Sequence, residues 1–410
     1  MAILAFLFRT RIAVLVVLGL ATAGAAWFAF HGHVVPVSAL LLSGASLAVG
    51  AVVGFIHLRH AGLAILGALA PLPGMLAAAP YAMAHGVALT GLLGVYAWSA
   101  LVAAHLCGVI ERRILDASAR EEAAQAALAN SFVPVALAVL AAGLLLLGWY
   151  FRTATALTAG TVAMFAAGLL SALIFTPFIA AMLPFGEAFF VAANRTQERR
   201  ENALAVATLV IEPRWAFAMS GAALVLATLG WFGVEPILVG NIFLSRWEYW
   251  LGSALLLFLA VFAAGRDWRD ALAATLGLAV LALVSLYLCH RVTGRLMPRS
   301  LIEIFLLLAA TLYPMLVVVV QSRRYRLAGD AAAVARLRAI EDAGWSPWFG
   351  ALGAAAALLP WLALHGSLVT LVVLIPLACA VALIGMPALA TALERLVPRR
   401  RTLGELYGRG

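Results

Sequence analysis

Few side chains in this sequence are placed where they could move a proton inside apolar surroundings. Tyr96 and Tyr313 stand in the middle of two long apolar stretches. His85 and Glu303 lie near one end of those stretches, and His105 lies near the other end of the first. Histidine titrates near neutral pH, so His85 and Glu303, if the stretches pack side by side, would make a proton switch; the plainer reading is two wet, interfacial groups. The two tyrosines would form a hydrogen-bonded pair or, more plainly, an aromatic packing pair whose hydroxyls satisfy neighbouring carbonyls. A phenol titrates near pKa ~10, so tyrosines alone are poor proton carriers. His105 is expected to be structural, its ring reaching toward the cytoplasm. His57, His60, His290 and His365 fall at the ends of apolar stretches without ligand-like clustering, and Glu187 reads as interfacial.

Recognisable catalytic patterns are missing from the sequence. It has no nucleotide-binding glycine-rich loop, no His-Glu-x-x-His and no serine elbow. We therefore expect no enzyme, no cofactor and no metal site. Cys107, Cys289 and Cys379 have no metal-like spacing and sit in or beside apolar runs, as small buried hydrophobes do. An ATP-driven pump would need a separate ATPase.

The elements that must position these residues are membrane spans. The 410 residues are 65% hydrophobic and only 11% charged, and the mean hydropathy is +1.06. A soluble domain carries about 25% charged residues, so an all-α integral membrane protein is expected. A net charge of +9 would point to nucleic acid in a soluble chain. Here the basic residues lie in short loops between apolar runs, the pattern of an orientation signal, and no nucleic-acid partner is expected. The first apolar run has no clear small-residue cleavage signal after it and reads as a retained helix.

With a ruler of about 20 apolar residues per span, about twelve spans emerge. They cover 11–31, 34–56, 61–80, 84–107, 131–151 and 155–184, then 213–234, 247–265, 270–290, 300–321, 346–365 and 368–393. Arginines concentrate on alternate loops, among them Arg59, Arg112, Arg113, Arg120, Arg266 and Arg269, which puts both termini in the cytoplasm. Arg291, Arg295 and Arg299 are the exception on the other side.

The chain also reads as built twice, with repeats at 1–205 and 206–410. Leu58-Arg59-His60-Ala61 matches Trp268-Arg269-Asp270-Ala271, Tyr96 matches Tyr313, and Pro177 matches Pro387. Six spans per copy is an even number, so the repeats should be parallel, related by an axis along the membrane normal. An amphipathic cytoplasmic helix is expected at about 110–127, and a weaker cytoplasmic segment at about 322–345. Small residues between Gly44 and Gly54 and around Gly350 and Gly353 would allow close helix packing. Pro177, Pro314 and Pro387 are the hinge candidates, Pro314 foremost because it adjoins Tyr313.

Three features together resemble the resistance–nodulation–division (RND) superfamily, most of all its MMPL and exporter branches. They are Ala-Arg-Glu-Glu-Ala-Ala-Gln-Ala-Ala at 119–127, the close on Met386-Pro387-Ala-Leu-Ala, and the arginine-bearing turn between spans two and three of each half. The resemblance implies a transporter or exporter in a bacterial inner membrane, handling a lipid or other hydrophobic molecule with a periplasmic or membrane partner protein. Members usually insert a large extracytoplasmic domain after the first span of each half; here those gaps are only His31–Pro36 and Glu235–Arg246. Proton-driven members carry aspartates in the middle of spans four and ten. This chain reads Gly94-Val95-Tyr96-Ala97 and Thr311-Leu312-Tyr313-Pro314 there. The competing expectation is a membrane scaffold or lipid-responsive subunit with a degenerate relay.

Overall fold

In the computed structural model, the described residues are 8–31, 37–58, 60–87, 89–116, 118–153, 156–185, 208, 212–240, 247–293, 298–343, 346–362 and 364–397. Apolar, alanine- and leucine-rich runs in a lipid environment pair every backbone amide within the segment, and among these residues all regular structure is helical. In chain order the helices are α1 (Arg11–Phe30), α2 (Val37–Leu58), α3 (Ala61–Leu69), α4 (Leu72–Ala84), α5 (Leu89–Leu115), α6 (Arg120–Thr153) and α7 (Ala156–Ala180). The second part holds α8 (Pro213–Gly240), α9 (Trp247–Gly265), α10 (Trp268–Thr293), α11 (Pro298–Leu327), α12 (Ala332–Ala343), α13 (Ser346–Leu362), α14 (Val369–Ala380) and α15 (Met386–Leu396). A single π turn, Val381–Gly385, joins the last two.

Among the described residues nine helical segments are long and apolar enough to cross a membrane, α3 with α4 and α14 with α15 each counting once. Shorter apolar helices occupy Arg11–Trp27, Trp250–Gly265 and Ser346–Leu362. The most buried spans are α5 and α11. Around them α5 packs on α7 and α13, α11 packs on α6, α2 packs on α13, and α9 packs on α6. α1 lies against α4, and α8 against α10 and α15. Large apolar side chains such as Leu224, Leu229 and Phe232 of α8 face outward, as they would toward lipid.

The break between α3 and α4 shows how sequence and packing cooperate. Pro71 has no backbone N–H to continue the ladder. Ser171 of α7 bridges the neighbouring break in the ladder: its hydroxyl donates to the Ala70 carbonyl at 2.7 Å and accepts from the Gly74 N–H at 3.1 Å. The helices approach so closely there that a Cβ on Gly74 would lie 2.1 Å from the Ala167 carbonyl oxygen. Gly108 is equally committed, because a Cβ would meet the Ser346 Oγ at 1.7 Å. The small-residue packing expected from sequence is realised between α2 and α13, where Gly50 and Gly353 face each other.

The surface helix expected at 110–127 is not one helix. Residues 110–115 finish α5, a short turn follows, and 120–127 begin α6. Ile110, Ile114, Ala123, Ala124 and Ala127 are buried in the bundle, so the apolar face that sequence assigned to a membrane surface is covered by protein. In the segment expected at 322–345, α11 continues to Leu327 and α12 is a separate short helix with Ala335, Arg336 and Ala339 buried.

Candidate functional site

α5 and α11 meet at one polar contact. His105 Nδ1 and the Tyr313 hydroxyl are 2.7 Å apart, with the rings edge to face at 5.6 Å. Only 2% of His105 and 1% of Tyr313 is exposed. Ser131, projecting from α6 and itself buried, hydrogen-bonds the same phenol. Three helices thus place three polar groups together in an otherwise apolar core. An unmade hydrogen bond at such a depth costs about 1–3 kcal/mol, so each partner fixes the others.

His105 of this pair borders a cavity of about 180 Å³. His105, Ser131, Asn130, Gln321, Tyr325 and Asp342 contribute to its lining, with Arg112 and Arg113 beside them. Arg112 donates to the Glu341 carbonyl at 2.8 Å and to that of Asp342, so the end of α5 holds the C-terminal end of α12. The Tyr325 hydroxyl donates to the Asp342 carboxylate. Among the described residues His105 Nε2 has no hydrogen-bond partner.

The other sequence candidates are placed differently. Tyr96 is buried on α5, but its hydroxyl donates to the Ala68 carbonyl at 3.0 Å, so the two tyrosines are not hydrogen-bonded to each other. His105 is buried and bonded to Tyr313, where the sequence reading had its ring reaching toward the cytoplasm. Its distance from the end of α5, with Arg112 and Arg113 between, is what keeps it inside. His85 Nδ1 lies 2.7 Å from the Tyr81 carbonyl one turn earlier and its ring stacks on Tyr81 at 4.0 Å. Glu303 is on the first turns of α11, and its side chain lies outside the described residues, as does Glu187. α7 runs through Pro177 and α11 through Pro314 without interruption. Pro387 opens α15 directly after the π turn, which accommodates the carbonyl that proline leaves without a donor. Among the described residues no group of three or more metal-ligating side chains forms.

A second polar cluster, which the sequence reading missed, sits at the end of the bundle where α5, α9 and α11 finish. Arg336 of α12, 1% exposed, contacts Asp270 at 3.0 Å and Glu394 at 2.6 Å. Arg326 contacts Asp267 at 2.5 Å and Asp270 at 3.1 Å. Arg269 donates through Nη2 to the Val397 carbonyl at 2.6 Å. Arg266, at φ 56°, turns the chain in a left-handed step after α9, and Asp267 then accepts from the Arg269 N–H at 3.0 Å. Burial works against the Arg336 charge, yet the carboxylates of Asp270 and Glu394 raise its pKa above the ordinary value. The signal that could have found this cluster was the density of opposite charges in 266–270 and 323–342.

No family model and no curated protein matches the chain. Among solved structures, SecDF from Thermus thermophilus, described as a translocon-associated membrane protein, aligns with TM-score 0.57 at 14% identity. That alignment covers 88% of this chain and 63% of SecDF. SecDF in its super-membrane-facing form aligns with TM-score 0.55 at 14% identity, covering 88% of this chain and 62% of the other. The chain thus spans somewhat under two thirds of the length of these structures. The likeness is one of fold, that of an all-helical, multi-pass membrane protein.

Proposed function

We propose that this protein is an RND-type membrane transporter of the MMPL kind, moving a lipid or other hydrophobic molecule. The observation that carries the reading is the buried His105–Tyr313 contact between α5 and α11, the two helices at the heart of an RND-like bundle. A titratable ring that bridges two central helices can couple its protonation to their separation. It would stand in for the aspartates that proton-driven relatives carry on those spans. The reciprocal packing supports two parallel six-helix repeats in a twelve-span bundle: α5 on α13 answers α11 on α6, and α1 on α4 answers α8 on α10. In this reading both termini face the cytoplasm of a bacterial inner membrane. The short gaps after the first span of each repeat leave the work of extracytoplasmic domains to a partner protein. No catalysis of a covalent reaction is proposed.

The test is transfer of a fluorescent phospholipid by the purified protein in proteoliposomes, with and without an imposed pH gradient. We expect gradient-dependent transfer that falls at least tenfold in His105→Phe and in Tyr313→Phe. Tyr96→Phe and His85→Ala should retain most of it, and Glu303→Gln belongs in the same series. Transfer indifferent to both gradient and substitutions would remove proton coupling. No transfer, with lipid retained through purification, would replace the transporter by a membrane scaffold.

A further inference from the structure

His105 has two ring nitrogens and only one of them has a partner among the described residues. If Nδ1 accepts from the Tyr313 hydroxyl, Nε2 carries the proton and needs an acceptor. If Nδ1 carries the proton, Nε2 presents a lone pair and needs a donor. Either tautomer leaves Nε2 in want of a hydrogen bond, at 2% residue exposure and on the wall of the 180 Å³ cavity. The cavity is roomy enough for several waters, and its walls offer the two to four polar contacts that a trapped water requires. Asn130 and Ser131 supply them from α6, Gln321 and Tyr325 from α11, and Asp342 from α12.

The direction of access follows from which residues lie on either side. Toward the end of α5 the lining becomes charged, with Arg112, Arg113 and Asp116. In the other direction the neighbours of the pair along α5 and α11 are Leu101, Val102, Ala309 and Leu312, all buried and apolar, and Thr311, whose buried hydroxyl is spent on the Leu307 carbonyl at 2.6 Å. We propose that this cavity is a water-filled vestibule that gives His105 Nε2, and through the ring the Tyr313 hydroxyl, access to the aqueous phase on the arginine-rich side alone. The ligand is water, and the exchangeable species is a proton. The charged groups that face the vestibule are Arg112 and Arg113 from α5, Asp116 from the turn after it and Asp342 from α12. Two cations and two carboxylates leave its formal charge close to zero.

The inference deepens the transporter reading and takes from it only the role of the histidine–tyrosine pair. It is tested by thiol labelling of single-cysteine additions, with the three native cysteines, all buried, as internal unreactive controls. Val109→Cys, Gln321→Cys and Ser131→Cys place thiols along the vestibule. Ala119→Cys and Leu364→Cys mark the two ends of the bundle. A small membrane-impermeant methanethiosulfonate is applied to one side at a time in sealed vesicles. We expect the vestibule thiols to react from the same side as Ala119→Cys, at least tenfold faster than the parent chain. Labelling from the Leu364→Cys side, or at no more than the parent rate for both Val109→Cys and Gln321→Cys, overturns the vestibule. Should Ser131→Cys fail to fold because it loses the Tyr313 contact, the other two positions still decide. Lipid transfer that fails while one-sided labelling succeeds removes the transporter reading and leaves the vestibule; the converse removes the vestibule alone.

Discussion

The turn between α2 and α3 and the turn between α9 and α10, which the proposed repeats would pair with each other, do the same job with different chemistry. In the first, His60 caps α3 by accepting from the Leu63 N–H at 3.1 Å, and its other ring nitrogen lies 3.0 Å from the Pro184 carbonyl beyond α7. In the second, Asp267 supplies the local acceptor, and Arg269 reaches the Val397 carbonyl beyond α15. Each turn is therefore tied to the end of the last helix of its own half. A neutral ring can do this alone. The carboxylates of Asp267 and Asp270 are buried, and buried charge demands compensation, which Arg326 and Arg336 provide. That requirement explains α12: it carries Arg336 into the cluster, whereas in the first half α5 and α6 are joined by a short turn without an intervening helix. Where the second half is filled by ion pairs, the boundary between α5–α6 and α11–α12 keeps a polar cavity at His105.

The largest expected break in this comparison is Asp270→Ala. It strands two buried arginine contacts and should lower stability by roughly 3–5 kcal/mol, read as a lower thermal midpoint in detergent. Asp270→Leu combined with Arg336→Met should recover much of that loss, because removing a whole buried pair is far milder than removing half of it. A double variant as unstable as the single would mean that the cluster does more than neutralise itself. Next in size is Gly74→Ala, whose Cβ would meet the backbone carbonyl of Ala167. Backbone shifts of this kind cost about 1–3 kcal/mol.

The tyrosines sharpen the contrast further. Tyr313→Phe leaves His105 Nδ1 unpaired at the core and should cost about 1–3 kcal/mol. Tyr96→Phe removes a bond to a carbonyl of α3, and about 0.5–1.5 kcal/mol is expected. Equal losses by chemical denaturation in the two variants would mean that the two halves treat their tyrosines alike. The smallest effect belongs to His60→Ala, a lost helix cap worth about 1 kcal/mol or less, with His60→Asn restoring most of it. If His60→Ala proved as damaging as Asp270→Ala, the distinction between a neutral and a charged tie would fall.

Much of the architecture was legible in the apolar runs. Their lengths located most of the helices to within a few residues because lipid leaves the backbone no alternative partner, although α5 runs on to Leu115 and α6 starts at Arg120, well outside the spans expected at 84–107 and 131–151. The helix ends were less legible. Residues 110–127 look amphipathic, but Ile110, Ala123 and Ala127 bury against protein, and a pattern of apolar spacing does not say whether lipid or another helix covers it. Tyr96, Tyr313 and His105 could be singled out as rare polar groups in apolar surroundings. Which of them touch could not, since His105 and Tyr313 are separated by 208 residues and Ser131 was one of many serines.

By itself the sequence determined that this chain is a bundle of membrane-crossing helices with its arginines gathered between them and almost no charge within. Those properties follow from transfer free energies that act residue by residue. Only the tertiary structure decided that His105 meets Tyr313 while Tyr96 bonds a carbonyl, and that Arg336 is buried between Asp270 and Glu394. Such contacts depend on the rotation and depth of neighbouring helices, which interhelix packing sets and no local run of residues encodes.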